Sequence, residues 1–472
     1  MKYIYKSLLV LSSFLLVVSC GNDDLEPTVA MNKDSDTGIQ TAGDLASVLN
    51  GAYDRLSSSS YYAGYYILNG EFRSDNFYSN NNSGRSGASA MDFSPNGYGP
   101  WGTIYGVIAM CNIVIQADHA SLDGDQNDIN HTVGQAYAIR ALAHFDLLRD
   151  YGQHFISGQG GSSSLGVPYV KTYRDPANLS PSRDTVQSNV DNIVADFNQG
   201  ISMMNSTSDN SQYMNKGAAY ALLARAANYY GSVNSAYYAA SASASKWVLD
   251  NWSKAAIGPS GYMATWYTDN PVNVLFSIAA SGTDANSLVG MSNMYRGPTY
   301  GDCRILEGDG ADDVHDIYEA DDIRYTKNGM IGMERGYLSM LGKWPSNDRT
   351  DDNIVIRVEE MHLIYAEAML RAGDTATAKT YLNNVQAIRG ASLTEATLDN
   401  IILERRREFF GEGHRFYDIA RLGMDMPTVD VIKQQYDDLT GTSPEAGNYR
   451  FAYPISLSER NANPNIVNNY GY

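Results

Sequence analysis

Two stretches of the 472-residue chain concentrate side chains able to hold a flat-faced, polar ligand. Ser57 to Trp101 carries Tyr61, Tyr62, Tyr65, Tyr66, Asp75, Asn76, Tyr78, Tyr98 and Trp101, and a second set comprises Tyr262, Trp266, Tyr267, Tyr295, Tyr300 and Trp344. Aromatic rings pack on the C–H faces of a sugar, while Asp, Asn, Arg and Gln make directional bonds to its hydroxyl rim. Each ring contributes only about 0.5–1.5 kcal/mol beyond area burial, so several must act together. The candidate ligand contacts are Asp75, Asn76, Tyr78, Tyr98, Trp101, Tyr295, Tyr300 and Trp344. Packing competes at several of them. Trp101 sits in a helix-like motif, Tyr61–Tyr66 could pack within a strand, and Asp75 reads equally as a contact or a cap. Tyr295 and Tyr300 lie among Gly, Pro, Arg and Asp, an exposed-loop context.

Catalytic signatures are missing. None of the seven histidines forms His-Glu-x-x-His or pairs with another at helical ligand spacing, which disfavours a zinc hydrolase. There is no Gly-x-Ser-x-Gly elbow, and Gly342-Lys343-Trp344 lacks the spacing and Ser/Thr of a phosphate loop. Asp123 to Asn127 starts like a calcium loop, but Asp128 and Gly134 stand where a glycine and a bidentate Glu belong, so it reads as a capping loop. Paired carboxylates for glycoside cleavage stay open among the 53 acids, though none sits in a recognisable catalytic signature, and no cofactor or metal is implied. Cys111 and Cys303 read as free thiols, since a bridge needs a proximity that sequence does not show.

Helical periodicity supplies the elements that position these loops. Val133 to Leu148 and Lys216 to Tyr230 each place apolar residues at three- and four-residue steps. Ile354–Ala372 and Thr375–Arg389 form the clearest pair, joined by a C-cap glycine, Gly373, and an N-cap acid, Asp374. Alternating small and large residues in that pair resemble tetratricopeptide hairpins. Two further pairs are Asp44–Leu56 with Trp101–Ala117, and Val133–Arg149 with Thr185–Phe197, the helix Val133–Tyr151 being capped by Asp128 or Asn130. Their spacing follows no fixed period. The fold class is mainly α: helical pairs forming a scaffold, with long irregular insertions, mainly 57–100 and 258–346, and further loops at Gly152–Ser182 and Asp425–Tyr472.

Composition narrows the setting. Acidic residues outnumber basic ones 53 to 34, a formal charge of −19 that argues against nucleic acid. Tyr numbers 35 against 12 Phe and 5 Trp, a bias toward rings with one wet edge. Lys2 and Lys6 precede an apolar run, Leu8–Val18, too short to span a bilayer, ending at Ser19-Cys20-Gly21. That arrangement resembles a bacterial lipobox, so residues 1–19 are expected to be a lipoprotein signal peptide and Cys20 the lipidated residue. Loss of both signal lysines takes the charge from −19 to −21. Asn22-Asp23-Asp24 is similar to the surface-export signal of Bacteroidetes lipoproteins, within a flexible leash spanning 20–40.

The stretch Glu404-Arg405-Arg406-Arg407-Glu408-Phe409-Phe410-Gly411-Glu412-Gly413-His414-Arg415-Phe416-Tyr417-Asp418 through Gly423 resembles the C-terminal signature of the SusD/RagB family. So do Tyr453-Pro454-Ile455 and the closing Asn468-Asn469-Tyr470-Gly471-Tyr472, despite Ser456 and the Asn-Asn-Tyr run departing from the commoner pattern. Glu71-Phe72-Arg73-Ser74-Asp75, the Trp101–Asn112 segment, and Ala138–Leu147 with Tyr151-Gly152 and Val167-Pro168 match in the same order. Read from the residues alone, Arg405, Arg406 and Glu408 could pair along one helix, with Phe409, Phe410, Phe416 and Ile419 as apolar anchors and His414 as a packing residue. The resemblance implies one SusD-like domain over 41–472, outer-membrane attachment through the lipid, glycan binding without catalysis, and delivery to a SusC-like TonB-dependent transporter. A peptide-binding RagB-type lipoprotein and a helical adaptor without a small ligand are the alternatives.

Overall fold

The computed structural model describes residues 38–472 except 87–90, 206–207, 297–298, 309–313, 326–328 and 437–442. The proposed signal peptide, Cys20 and nearly all of the leash therefore lie outside the described residues. Helices α1 (Ala42–Leu56), α2 (Tyr65–Phe72), α3 (Trp101–Gln116), α4 (Gln126–Tyr151), α5 (Val186–Met203), α6 (Lys216–Gly231) and α7 (Tyr237–Asn251) occupy the first half. The second half holds short α8 (Met291–Tyr295) and α9 (Val314–Ile317), then α10 (Val358–Arg371), α11 (Thr375–Arg389), α12 (Leu398–Glu408), α13 (Arg415–Arg421) and α14 (Leu457–Ala462). Six short strands pair as antiparallel hairpins or ribbons: β1 (Phe77–Ser79) with β3 (Cys303–Ile305), β2 (Val274–Ile278) with β6 (Asn353–Arg357), and β4 (Ile331–Glu334) with β5 (Tyr337–Met340). Among the described residues no helix is long and apolar enough to cross a membrane.

The scaffold helices stack in chain order: α1 on α3, α3 on α4, α4 on α5, α5 on α6, α6 on α7, then α7 on α10 and α10 on α11. This is the quasi-one-dimensional logic of a helical solenoid. Its period is irregular because the chain leaves the stack twice, between α1 and α3 and between α7 and α10. All three expected helical pairs are present. At the α10–α11 turn Gly373 takes φ +85° and the Asp374 side chain accepts from Thr377 N at 3.0 Å, as expected. Four elements differ, and in the first α5 runs to Met203, six residues past the expected Phe197. Ile354–Arg357 is strand β6, not the first turn of α10, because the β-branched run Ile-Val-Ile pairs with β2. Helix α4 begins two turns earlier than expected, at Gln126 capped by Asp125, since those turns are polar and leave no apolar stripe to read. Helix α2 falls inside the stretch read as loop; seven of its eight residues are buried, so it has no amphipathic face.

The signature segment bolts the excursions to the scaffold. Gly70 of α2 lies so close to the turn after α12 that an added Cβ would sit 2.5 Å from the Gly413 carbonyl oxygen, while Gly413 itself takes φ +79°. Glu71 caps the same turn by accepting from Gly413 N at 2.6 Å. We expect Gly70→Ala to destabilise by about 1–3 kcal/mol, because the obstruction is backbone and cannot rotate away. Urea unfolding checks this, and an unchanged midpoint would show that the two turns can slide apart.

Buried histidines set the pH dependence. Burial lowers His144 and His154 to about 3 and takes His414 well below its usual range. A depressed histidine means that the unfolded chain binds more protons below pH ~6.5, so stability falls as pH drops through that window. Burial raises Glu71 to about 7 and Asp351 to about 6, and raises Asp150 and Asp352, which acts oppositely; the lowered histidines, with His131 and His362 added, outnumber them. Net loss of stability from pH 7 to 5 is the expected outcome. Urea midpoints at both values measure it, and a rising midpoint on acidification would contradict it.

Candidate ligand-binding face

The excursions that depart from opposite parts of the stack meet each other. Strands β1 and β3 pair in the register Phe77↔Ile305, Tyr78↔Arg304 and Ser79↔Cys303. Beyond β1 the chain turns back over β3, pinned by Asp302. Its carboxylate accepts from Ser83 N (3.0 Å), Ser83 Oγ (2.6 Å) and Ser86 Oγ (2.7 Å), and Asn82 Nδ2 donates to the Tyr300 carbonyl at 3.1 Å. Asn81 and Asn82 are exposed, and so is Arg85, whose guanidinium stands 5.1 Å from the Tyr300 ring centroid. Half-buried Tyr65 donates its hydroxyl to the Arg85 carbonyl at 2.9 Å. The result is a rim of two amides, one cation and two tyrosines held by a buried aspartate.

The sequence-derived candidates are mostly elsewhere. Asp75 is buried between Arg415, which approaches both carboxylate oxygens at 2.7 and 2.9 Å, and Arg406 at 3.2 Å. Burial alone would raise its pKa; those two arginines outweigh it and hold the group at about 2. Asn76 is buried too, donating to Glu71 and accepting from Arg406 Nε at 2.8 Å. Trp101 opens α3 with its ring against Tyr105 and Tyr151, each 4.9 Å away. Tyr295 on α8 donates to the Gly411 carbonyl at 2.7 Å and packs on Phe77 and Trp344. Trp344, 1% exposed, stacks on Tyr295 on one side and meets Trp266 on the other. Asp75, Asn76, Trp101 and Tyr295 therefore offer no side chain to the surface, and their reading as ligand contacts is corrected; Trp344 is as deeply buried, at the inner edge of a cleft that Trp266 and Tyr267 also line. They hold the excursions together.

Tyr78 and Tyr98 are half-buried. Lys433 Nζ lies 5.8 Å over the Tyr78 ring, and burial pushes that phenol up to about 12. Tyr98 packs on Phe93 and Tyr453 at 4.8 and 5.0 Å. Tyr300 keeps a place on the rim, with only 8% of its surface open beneath Arg85. Sequence reasoning missed Asn82 and Arg85. A signal existed, for Arg85 is the only Lys or Arg between Arg73 and Arg140.

Many tyrosines serve buried charge. Tyr61 and Tyr62 both donate to Asp146 Oδ2 (2.6 and 2.7 Å), Tyr417 donates to Asp150 (2.8 Å), and Tyr169 to Asp196 (2.6 Å). Cys111 and Cys303 are both buried and unbonded to each other.

These elements define a mainly α scaffold of stacked helical pairs carrying a face built from two inserted loops. A family model described as the SusD family matches residues 195–472, more than half of the chain, and one described as starch-binding, associating with outer membrane, matches 24–227. The chain belongs to the SusD family. Starch-binding protein SusD of Bacteroides thetaiotaomicron is 32% identical over 118 residues, 25% of this chain and 21% of that protein. A SusD-like protein of Formosa agariphila is 30% identical over 133 residues, 26% of this chain and 24% of that protein. The matched segments thus span about a quarter or less of these curated relatives. A solved SusD superfamily protein of Bacteroides thetaiotaomicron is 26% identical with a TM-score of 0.79, covering 91% of this chain and 99% of its own.

Proposed function

We propose that the protein is a non-catalytic glycan-binding lipoprotein, anchored in the outer membrane through Cys20 and the 20–40 leash. It captures oligosaccharide on the rim formed by Tyr65, Asn82, Arg85 and Tyr300 and passes it to a TonB-dependent transporter of the SusC type. The observation that carries the reading is this rim, where two insertions meet to expose amides and a cation beside tyrosine rings. Membership of a family with a starch-binding member supports it, as does the outer-membrane description of the second matching family. Guanidinium and amide groups bond to hydroxyls in pairs, and rings stack on sugar faces. Affinity electrophoresis against a glycan panel, with calorimetry on peptide pools in parallel, tests the cargo. Retardation by at least one glycan is expected; binding confined to peptides would replace glycan with peptide as the cargo.

A further inference from the structure

We infer that the cleft beside Trp344 is a second ligand site, separate from the Arg85 rim, that takes one non-acidic sugar ring. This rests on the glycan reading above and adds to it a place and a charge preference. The cleft has a volume of about 220 Å³ and lies between residues 265–271, strands β2 and β6, and the 344–352 turn. A cavity of roughly 150 Å³ holds one benzene ring, so this one has room for a single substituted six-membered ring and not for a chain of them.

Its walls are aromatic. The indoles of Trp266 and Trp344 stand 5.7 Å apart at 53°, and Tyr295 stacked behind Trp344 fixes that wall in place. Tyr267, 64% exposed, flanks the opening. Both indoles line the cleft, both residues are more than nine-tenths buried, and neither Nε1–H has an acceptor. Both nitrogens are sealed from solvent, so what the two tryptophans add to the cleft is apolar surface of the kind that packs on a sugar's C–H face.

The polar side is acidic. Asp269, Asp351 and Asp352 line the cleft and no Lys or Arg does. Asp352 is spent on Ala280 N, Ser277 Oγ and Gln212 Nε2. Asp351 accepts only from Ser346 N, at 3.1 and 2.9 Å, leaving lone pairs for ligand hydroxyls. Three cations stand behind the lining and are already engaged: Lys343 pairs with Glu412 at 2.6 Å, Arg296 donates to the Pro345 carbonyl, and Lys254 donates to the Pro271 carbonyl at 3.0 Å. Sugar hydroxyls donate, which suits the carboxylate acceptors of this wall. A uronate or sulfated ring would bring a like charge against these carboxylates.

Saturation-transfer NMR with glucose, galactose, mannose, glucosamine and glucuronate tests the site on the wild type and on Tyr267→Ala, Asp351→Asn and Arg85→Ala. At least one neutral or amino sugar should bind, with glucuronate about tenfold weaker or undetected. Tyr267→Ala and Asp351→Asn should each weaken that binding about fivefold or more, and to the same extent when combined with Arg85→Ala as in the otherwise wild-type chain. Binding that follows Arg85 alone, equal binding of glucuronate, or no response to any monosaccharide overturns the inference. If polymer is still retained in that last case, the cleft assignment fails and the glycan reading stands; if no polymer is retained either, both fail.

Discussion

Replacing Glu408 with alanine is expected to cost the fold about 3–5 kcal/mol, the usual consequence of removing one partner from a buried ionic group. Its carboxylate is fully buried and accepts from Arg324 Nη1 (3.0 Å), Arg389 Nε (3.0 Å) and Nη2 (2.9 Å), and Arg357 Nη1. Burial would raise its pKa, but Arg389, Arg357 and Arg324 outweigh burial and hold it well below the usual range. The three arginines come from the turn before β4, from β6 and from α11, so one carboxylate on α12 ties the second excursion to the scaffold. Glu404, Glu359, Asp322 and Glu412 each pair with one or two of the same cations, whereas Glu408 meets all three. Against a whole-protein stability of about 5–15 kcal/mol, such a loss is a large fraction. Urea unfolding measures it, with Glu408→Gln expected between wild type and alanine because it keeps the shape and loses the charge. A loss below about 1 kcal/mol for the alanine variant would show that the remaining carboxylates carry the lattice without it.

That lattice also shows where sequence reasoning runs out. The run 404–408 reads as charges pairing along a helix, and a helix does form. Yet Arg405 reaches Asp418, Arg406 reaches Asn76, Arg407 reaches the Ile317 carbonyl, and Glu408 reaches three separate elements. The three- and four-residue rule sees only neighbours on one helix, whereas these side chains are spent on contacts 13 to 330 residues apart in sequence. Scaffold pairs such as α10–α11 were legible because their caps and apolar stripes are local. Helix α2 and strand β6 were not, since one is buried on every side and the other is a short apolar run that suits either state.

The proposed ligand face lies within stretches that the sequence marks, but mostly on residues that it does not. Tyrosine density marked both insertions correctly as the parts that leave the stack. It could not separate rings that face outward from Tyr61 and Tyr62, which donate to the buried Asp146 carboxylate, or from Tyr295, which packs behind Trp344. A hydroxyl-bearing ring suits a wet surface and a buried carboxylate equally well, so composition alone does not choose between them. What chooses is the pairing of β1 with β3, a contact between residues more than two hundred positions apart.

Replacing Arg85 with alanine should weaken retention of the cognate glycan about tenfold to a hundredfold, the range for losing hydrogen bonds from a charged donor. The side chain is exposed and its guanidinium touches the fold through the Tyr300 ring, where an exposed cation–π contact is worth only about 0.5–1 kcal/mol. Stability should therefore barely move while affinity falls, a separation that a structural role would not produce. Arg85→Lys keeps the charge but loses the planar fork, so it should recover only part of the loss. Tyr300→Ala removes the surface beneath the guanidinium and should resemble Arg85→Ala in affinity, because either change dismantles the same rim. Asn82→Ala frees the Tyr300 carbonyl from its 3.1 Å bond and should cost less, since Asp302 still pins the turn through Ser83 and Ser86. Affinity electrophoresis with a retained glycan ranks the four variants. Unchanged mobility shifts in Arg85→Ala and Tyr300→Ala together would move the binding face away from the junction of the two insertions.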